Sequence, residues 1–376
     1  MKNNLLLLLS LLFVIFIAAC GGTATEPRVK VAFSDVPYRT EKNLRIGYTL
    51  SLWEYEKDGL ELQRITILDQ DTGQELQTIV KEELPRIYKG PLAADKYFTY
   101  DPLSRYYLSL QLPIPLAKEP PRNVSHRFLF KRLSDAVETT VEGATFAPRT
   151  GESPIVIASP LKGKNMVFLN QSNNGYHFFV LLFTQGQVFR SERYAFDMGE
   201  LSDDLNGIVK TGSDVTKNDS YFQYGKTIHA VAKGKVLRVR DGQPENSGNA
   251  QNLVFNTRED LAGNYLVQDI GGGRFAFYAH FIPGSILVKE GDVVEEGTPL
   301  AKLGNSGNST GPHLHFHIMD GPDIFLSNGL PSVLKKYIKT GEANWINDQP
   351  NVLYTPDRYQ TFSNAMMETT TVISVE

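Results

Sequence analysis

The sequence predicts an all-β protein, and three observations carry the prediction. Period-2 runs rich in β-formers recur from Arg28 onward, as in LRIGYTLSLWEY (44–55), LELQRITILD (60–69) and YYLSLQLPIPL (106–116). Turn signals separate them, such as QDTG (70–73), with Asp and Gly where a hairpin wants them. No helical stripe appears from Arg28 to about Thr145. With 376 residues, roughly 150 per domain gives two to three domains. Hydrophobic residues at 41% against 21% charged exclude a disordered chain. A net charge of −4 excludes a globally basic nucleic-acid binder. The single Cys excludes a disulfide framework and a zinc site built from several thiolates.

Residues 1–19 read as a lipoprotein signal peptide. Lys2 supplies a positive n-region, and the apolar run from Leu5 to Ala19 is shorter than the roughly 20 residues of a spanning helix. Ala18-Ala19-Cys20 resembles the lipobox of bacterial lipoproteins, which implies lipidation of Cys20 and export to the cell envelope on a membrane lipid anchor. Gly21 follows the Cys where an Asp would signal inner-membrane retention, so an outer membrane, where there is one, is the expected destination. Residues 20–27 form a tether. Residues 28–145 are expected to be an immunoglobulin-like β-sandwich. It has no catalytic constellation, and its lone His126 reads as structural or solvent-facing.

Residues 153–330 form a second all-β unit, denser in Gly, Asn and Asp. GYHFFVLLF (175–183) and QVFRSERYAFD (187–197) read as a hairpin around Gln185-Gly186. Further strands are expected in 226–240, 264–270, 274–281, 285–294 and 313–320, with two polar loops at 241–252 and 304–312. The tail, 331–376, offers one short helical candidate, SVLKKYIK (332–339).

Four of the seven His fall in two motifs, Tyr278-Ala279-His280 and His313-Leu314-His315 followed by His317. In a strand, alternate residues share a face, so three imidazoles would point the same way. That makes a costly apolar core but a sensible metal site or polar cleft, because neutral imidazole is a standard zinc ligand.

GNSGNSTGPHLHFHIMDGP, preceded by YAH and VKEGDVVEEGTPLAKLG, resembles the lysostaphin/LytM-type zinc metallopeptidases that cut peptidoglycan peptides. The resemblance covers roughly 225–320 and includes a strand start at Gly225-Lys226-Thr227-Ile228-His229-Ala230. It implies a small antiparallel sheet of LytM type with the site in an open groove. It also implies His315 as a zinc ligand, with His280 and His313 as catalytic groups at the open side of the metal. The other two ligands would come from an H-x-x-x-D motif. Asp197 is available, but the residue four before it is Arg193. His177 is the replacement expected to join Asp197. A three-residue hairpin loop would put 177 and 197 on one face, and a two-residue loop on opposite faces. Asp219 is the alternative carboxylate, and it too lacks a His at −4. His229 reads as packing or surface, and His317 as cleft wall.

The expected function is therefore zinc-dependent hydrolysis of peptide bonds in peptidoglycan cross-links. The alternative is a degenerate LytM-like lipoprotein that binds the wall or activates a partner amidase, and the missing H-x-x-x-D favours it.

Overall fold

The computed structural model describes residues 29–52, 59–84, 107–169, 176–184, 187–250, 254–345 and 352–375. The signal segment, the tether and Cys20 lie outside the described residues.

The first part is a two-sheet sandwich. Its strands are β1 (Lys30–Ser34), β2 (Tyr38–Arg39), β3 (Asn43–Ser51), β4 (Leu60–Asp69), β5 (Glu75–Val80), β6 (Tyr107–Pro115), β7 (Val124–Arg132) and β8 (Glu138–Phe146). In one sheet β3 pairs with β1, β2 and β6; the other runs β5-β4-β7-β8, and neighbours are antiparallel. The QDTG turn joins β4 to β5, with Gly73 at φ 72° and its N–H on the Asp69 carbonyl at 2.8 Å. Alternation fills the core: Ile46, Tyr48 and Leu50 of β3 meet Leu108, Leu110 and Leu112 of β6, with Ile65, Ile67 and Phe128 from the facing sheet. His126 is buried there. Its Nε2 lies 2.9 Å from the Tyr48 hydroxyl, and its Nδ1–H donates to the Ala144 carbonyl at 3.0 Å. Burial holds its pKa down at about 4.

The second part is built on one large sheet. Its strands are β9 (Ile155–Ile157), β10 (Gly163–Leu169), β11 (Leu182–Thr184), β12 (Gln187–Phe189), β13 (Phe196–Glu200), β14 (Thr227–His229), β15 (Gly234–Arg240), β16 (Tyr265–Asp269) and β17 (Phe275–Ala279). They continue through β18 (Val293–Val294), β19 (Pro299–Lys302), β20 (Leu314–Met319), β21 (Gly329–Leu330), β22 (Ser332–Leu334), β23 (Tyr337–Trp345), β24 (Val352–Phe362) and β25 (Thr371–Val375). The sheet order is β18-β15-β16-β17-β20-β13-β10-β25-β23-β24, with β21 also on β20. Phe196, Met198, Ala276, Tyr278, Leu314, Phe316 and Ile318 point into the main core. The intervening residues of β13, β17 and β20 point to the other face, where Phe277, Ala279 and Met319 form a second cluster.

Three expectations need correction. Residues 332–339 are not helical: they form β22 and the start of β23. Val333, Leu334, Tyr337 and Ile338 have helix-like spacing, but the chain turns between the two strands and long-range pairing to β9 and β25 overrides local preference. The tail as a whole contributes three strands to the large sheet. Residues 175–183 are not one strand either, since 176–179 make a 3-10 turn and only Leu182–Thr184 is extended. In 285–294, only Val293–Val294 is strand.

The two parts share a polar joint. The outer face of β3, at Gly47 and Thr49, meets the turn 190–194, and Glu41 pairs with Lys339 at 2.7 Å. This explains why β3 is buried on both faces from Arg45 to Leu50.

Candidate metal centre

Strand register brings the first two groups together. Asp197 of β13 lies directly opposite His315 of β20, and His315 lies opposite Ala279 of β17. His315 Nδ1 is 3.2 Å from Asp197 Oδ1. The third group arrives from outside the sheet: His177, on the 3-10 turn, places Nε2 3.0 Å from Asp197 Oδ2. The hairpin register is that of a two-residue loop, with Thr184 opposite Gln187. Extended to 177, that register puts His177 and Asp197 on opposite faces. They meet because the strand has ended before 177 and the 3-10 turn redirects the imidazole.

His177, Asp197 and His315 are the cluster of potential metal ligands among the described residues, with ligand atoms all within 4.8 Å of one another. A tetrahedral ion bound at about 2.0–2.1 Å sets its ligand atoms about 3.3 Å apart. One ligand atom from each residue lies within 4.8 Å of the others, close enough to converge on one ion, and two imidazoles with one carboxylate leave a fourth position open. The residues present therefore fit a catalytic metal. Asp219, the alternative carboxylate, is exposed on a 3-10 turn outside the cluster.

His280 and His313 flank this group. Their rings lie 4.7 Å apart, and His280 is 5.8 Å from His315. His280 Nδ1–H donates to the Ser306 carbonyl at 2.7 Å, and His313 Nδ1–H to the Gly311 carbonyl at 2.8 Å. A carbonyl only accepts, so each ring keeps its lone pair on Nε2. His313 Nε2 lies 3.5 Å from Asp197 Oδ1. The His313 side chain is 21% exposed and His315 only 7%, so His313 marks the open side and His315 the floor.

The GNSGNSTGP loop is held rigidly enough to fix those carbonyls. Ser306 Oγ donates to the Phe281 carbonyl at 2.8 Å and accepts from Asn264 N–H at 3.0 Å. Asn305 Nδ2 donates to the Gly248 carbonyl at 2.7 Å. Gly307, at φ 79°, sits so close to Gly263 that a Cβ would stand 2.5 Å from the Gly263 nitrogen. The two polar loops of the sequence thus grip each other. Asn246 of the first lies within 3.0 Å of the Asn305 carbonyl and 2.8 Å of that of Gly307.

Two further residues complete the setting. Glu192 accepts from His177 Nδ1–H at 2.9 Å, which leaves Nε2 facing Asp197. Nothing in the sequence marks Glu192, because a Glu in a turn reads as solvated. His317 Nδ1 is 3.0 Å from His315 Nε2. Charge follows the geometry. Burial opposes charge on His177, but Asp197 and then Glu192 outweigh it and raise the imidazole to about 10. Burial likewise opposes charge on Asp197, yet His177 and His313 hold its carboxyl well below the usual range. Burial, joined by the neighbouring imidazoles, keeps His280 well below its ordinary value, and burial also lowers His313.

Comparison with known proteins shows what the chain is similar to. Residues 209–325 match the model of Peptidase family M23. Over 111 residues it is 32% identical to the peptidoglycan DD-endopeptidase ShyB of Vibrio cholerae serotype O1, covering 29% of this chain and 22% of that protein. Over 100 residues it is 35% identical to ShyA of the same organism, also a peptidoglycan DD-endopeptidase, covering 25% and 23%. An uncharacterized metalloprotease of Haemophilus influenzae is 26% identical over 159 residues, covering 41% and 32%. The chain thus spans under a third of the length of these relatives. Among solved structures it is similar to the catalytic domain of lysostaphin from Staphylococcus simulans, at 21% identity over 33% of this chain and 84% of that one, with a TM-score of 0.22. The family match begins after Asp197, so His177, Glu192 and Asp197 all come from the segment before it.

Proposed function

We propose that this protein is a zinc-dependent endopeptidase that hydrolyses peptide bonds in peptidoglycan cross-links. The observation that carries the reading is the convergence of His177 Nε2 and His315 Nδ1 on the two oxygens of Asp197, beside two imidazoles whose Nδ1–H groups are tied to backbone carbonyls. His177, Asp197 and His315 would hold the metal. When bound, zinc supplies the Lewis acidity that acidifies water and polarises a carbonyl.

His280 and His313 do the proton work. Their rings lie 4.7 Å apart with the Nε2 lone pair unused by the backbone, and a scissile carbonyl would approach from the more exposed His313 side. Either Nε2 can take the proton of the attacking water, and the resulting imidazolium can return it to the departing amine. The imidazolium form also stabilises the oxyanion of the tetrahedral stage. The Ser306 and Gly311 carbonyls keep both rings oriented throughout. The two DD-endopeptidase relatives support peptidoglycan as substrate, and the lipobox-like segment ending at Cys20 supports export and lipid anchoring where that substrate lies.

The test combines metal analysis with wall hydrolysis. About one zinc per chain, and release of soluble muropeptides from purified sacculi that is lost in His313→Ala, is the expected result. A chain that takes up no zinc, or whose hydrolysis survives both His280→Ala and His313→Ala, would overturn the reading. Transfer of a labelled fatty acid to the wild type but not to Cys20→Ala tests the anchor.

A further inference from the structure

The residue that breaks the H-x-x-x-D pattern, Arg193, points away from the metal cluster and into the N-terminal sandwich. It is fully buried. Its Nε lies 2.8 Å from Asp35 Oδ2, its Nη1 donates to Thr49 Oγ1 at 3.1 Å and Ser109 Oγ at 3.0 Å, and its Nη2 donates to the Tyr48 carbonyl at 3.1 Å. Arg190 Nη2 donates to Asp35 Oδ1 at 3.0 Å, and the Tyr194 hydroxyl donates to Asp35 Oδ2 at 2.6 Å. One carboxylate of the sandwich therefore gathers three side chains of the turn 190–194. The approach is so close that a Cβ on Gly47 would stand 2.4 Å from the Tyr194 oxygen.

That same turn carries Glu192, whose carboxylate holds His177 Nδ1. The residue after His177 is tied in as well. Phe178 is buried with Tyr38 of the sandwich and with Tyr194, and the Arg193 guanidinium lies 4.0 Å from its ring centroid. Tyr194 sits at φ 74°, a backbone state that costs a non-glycine residue energy and is held here by its hydroxyl on Asp35. His177 itself is on a 3-10 turn rather than on a sheet strand, with Asp197 of β13 and His315 of β20 against its ring.

We propose that Asp35 of the N-terminal sandwich is a positioning residue for the metal ligand His177, acting through the turn 190–194 and Phe178. The sandwich is then a structural part of the metal centre. Glu192 and Phe178 stand in for the rigidity that a ligand on the sheet strand itself would have. A ligand held by orienting partners binds its ion more tightly than a free one, and loss of such a partner typically weakens binding about 10- to 100-fold.

The inference rests on the metal reading above, and its test is zinc affinity rather than turnover. Zinc dissociation constants are measured on the full chain by competition with a chromophoric chelator, alongside thermal melting. Asp35→Asn keeps the size of the side chain and removes its charge; the expected result is zinc binding weakened about 10- to 100-fold. Tyr194→Phe removes one hydrogen bond from the same carboxylate and should give a smaller loss, at most about tenfold; it decides the matter if Asp35→Asn does not fold. Glu41→Gln loosens a different interdomain pair, to Lys339, and should lower the melting temperature while leaving zinc affinity within about twofold. Unchanged affinity in folded Asp35→Asn and Tyr194→Phe, against a wild type that binds zinc, overturns this inference alone. A wild type that binds no zinc overturns the metal reading and this inference with it. Equal weakening in Glu41→Gln also overturns it, since any loosening of the joint would then suffice.

Discussion

Asp35 and Asp197 are both buried aspartates in polar networks, and the turn 190–194 stands between those networks. Asp35 is met by two guanidinium groups and a phenol. Guanidinium is cationic at any pH of interest, so the charge balance is permanent and the site is closed. Asp197 is met by His177, His313 and His315, which are cationic only when protonated. Its neutralisation is conditional, and a divalent cation can take the place of a proton. Glu192, on the far side of His177, adds a second negative charge next to that imidazole. The same residue type thus serves as a fastener or as a ligand according to whether its partners can lose their charge.

The largest expected effect breaks the Asp197 half of this comparison. His315→Ala removes the floor of the cluster and should abolish both bound zinc and hydrolysis, read by metal analysis of the purified chain. Next, His280→Ala should keep about one zinc per chain and slow turnover by roughly 10²- to 10⁴-fold. Zinc loss in that variant would make His280 a ligand instead. On the Asp35 side, Asp35→Ala leaves Arg190 and Arg193 buried without their counter-ion. It should cost about 3–5 kcal/mol of stability, measured by denaturant titration.

The smallest effect sharpens the contrast between kinds of histidine. His126 has its folded-state pKa pushed down to about 4, against an ordinary value near 6.5. The unfolded chain takes up the proton first, so the folded sandwich keeps full stability above about pH 6.5 and loses it as pH falls toward 4. The total loss is about 3 kcal/mol, and it should vanish from the pH–stability curve of His126→Phe. An unchanged slope in that variant would assign the acid sensitivity to another group.

Much of this molecule was legible in its residues. Period-2 alternation marked the sandwich strands, and GNSGNSTGP with HLH and YAH marked three of the histidines, because these signals are local. The meeting of His177 with Asp197 was legible only as a choice between hairpin registers, and neither register describes it. Both registers require a strand that runs through 177, whereas the chain is on a 3-10 turn at that point. Glu192 was invisible because its role depends on a turn that the other half of the chain holds in place. The final strands are hidden for a similar reason: β22 and β25 pair with β9 and β10 some two hundred residues away, and residues 332–339 carry a spacing that suits a helix as well.

One pairing bears on how the molecule is made. Strand β25 lies between β10 and β23, with Gly163 opposite Val375. Synthesis delivers β10 long before β25, so β10 waits with one edge open while more than half the chain emerges. Pairing over such a span is slow to form and prone to wrong partners in the interval. A nascent chain stalled at residue 370 carries every histidine and aspartate of the candidate centre, yet it still exposes the edge of the strand next to Asp197. Competence to close the large sheet thus arrives only once β25 has been translated.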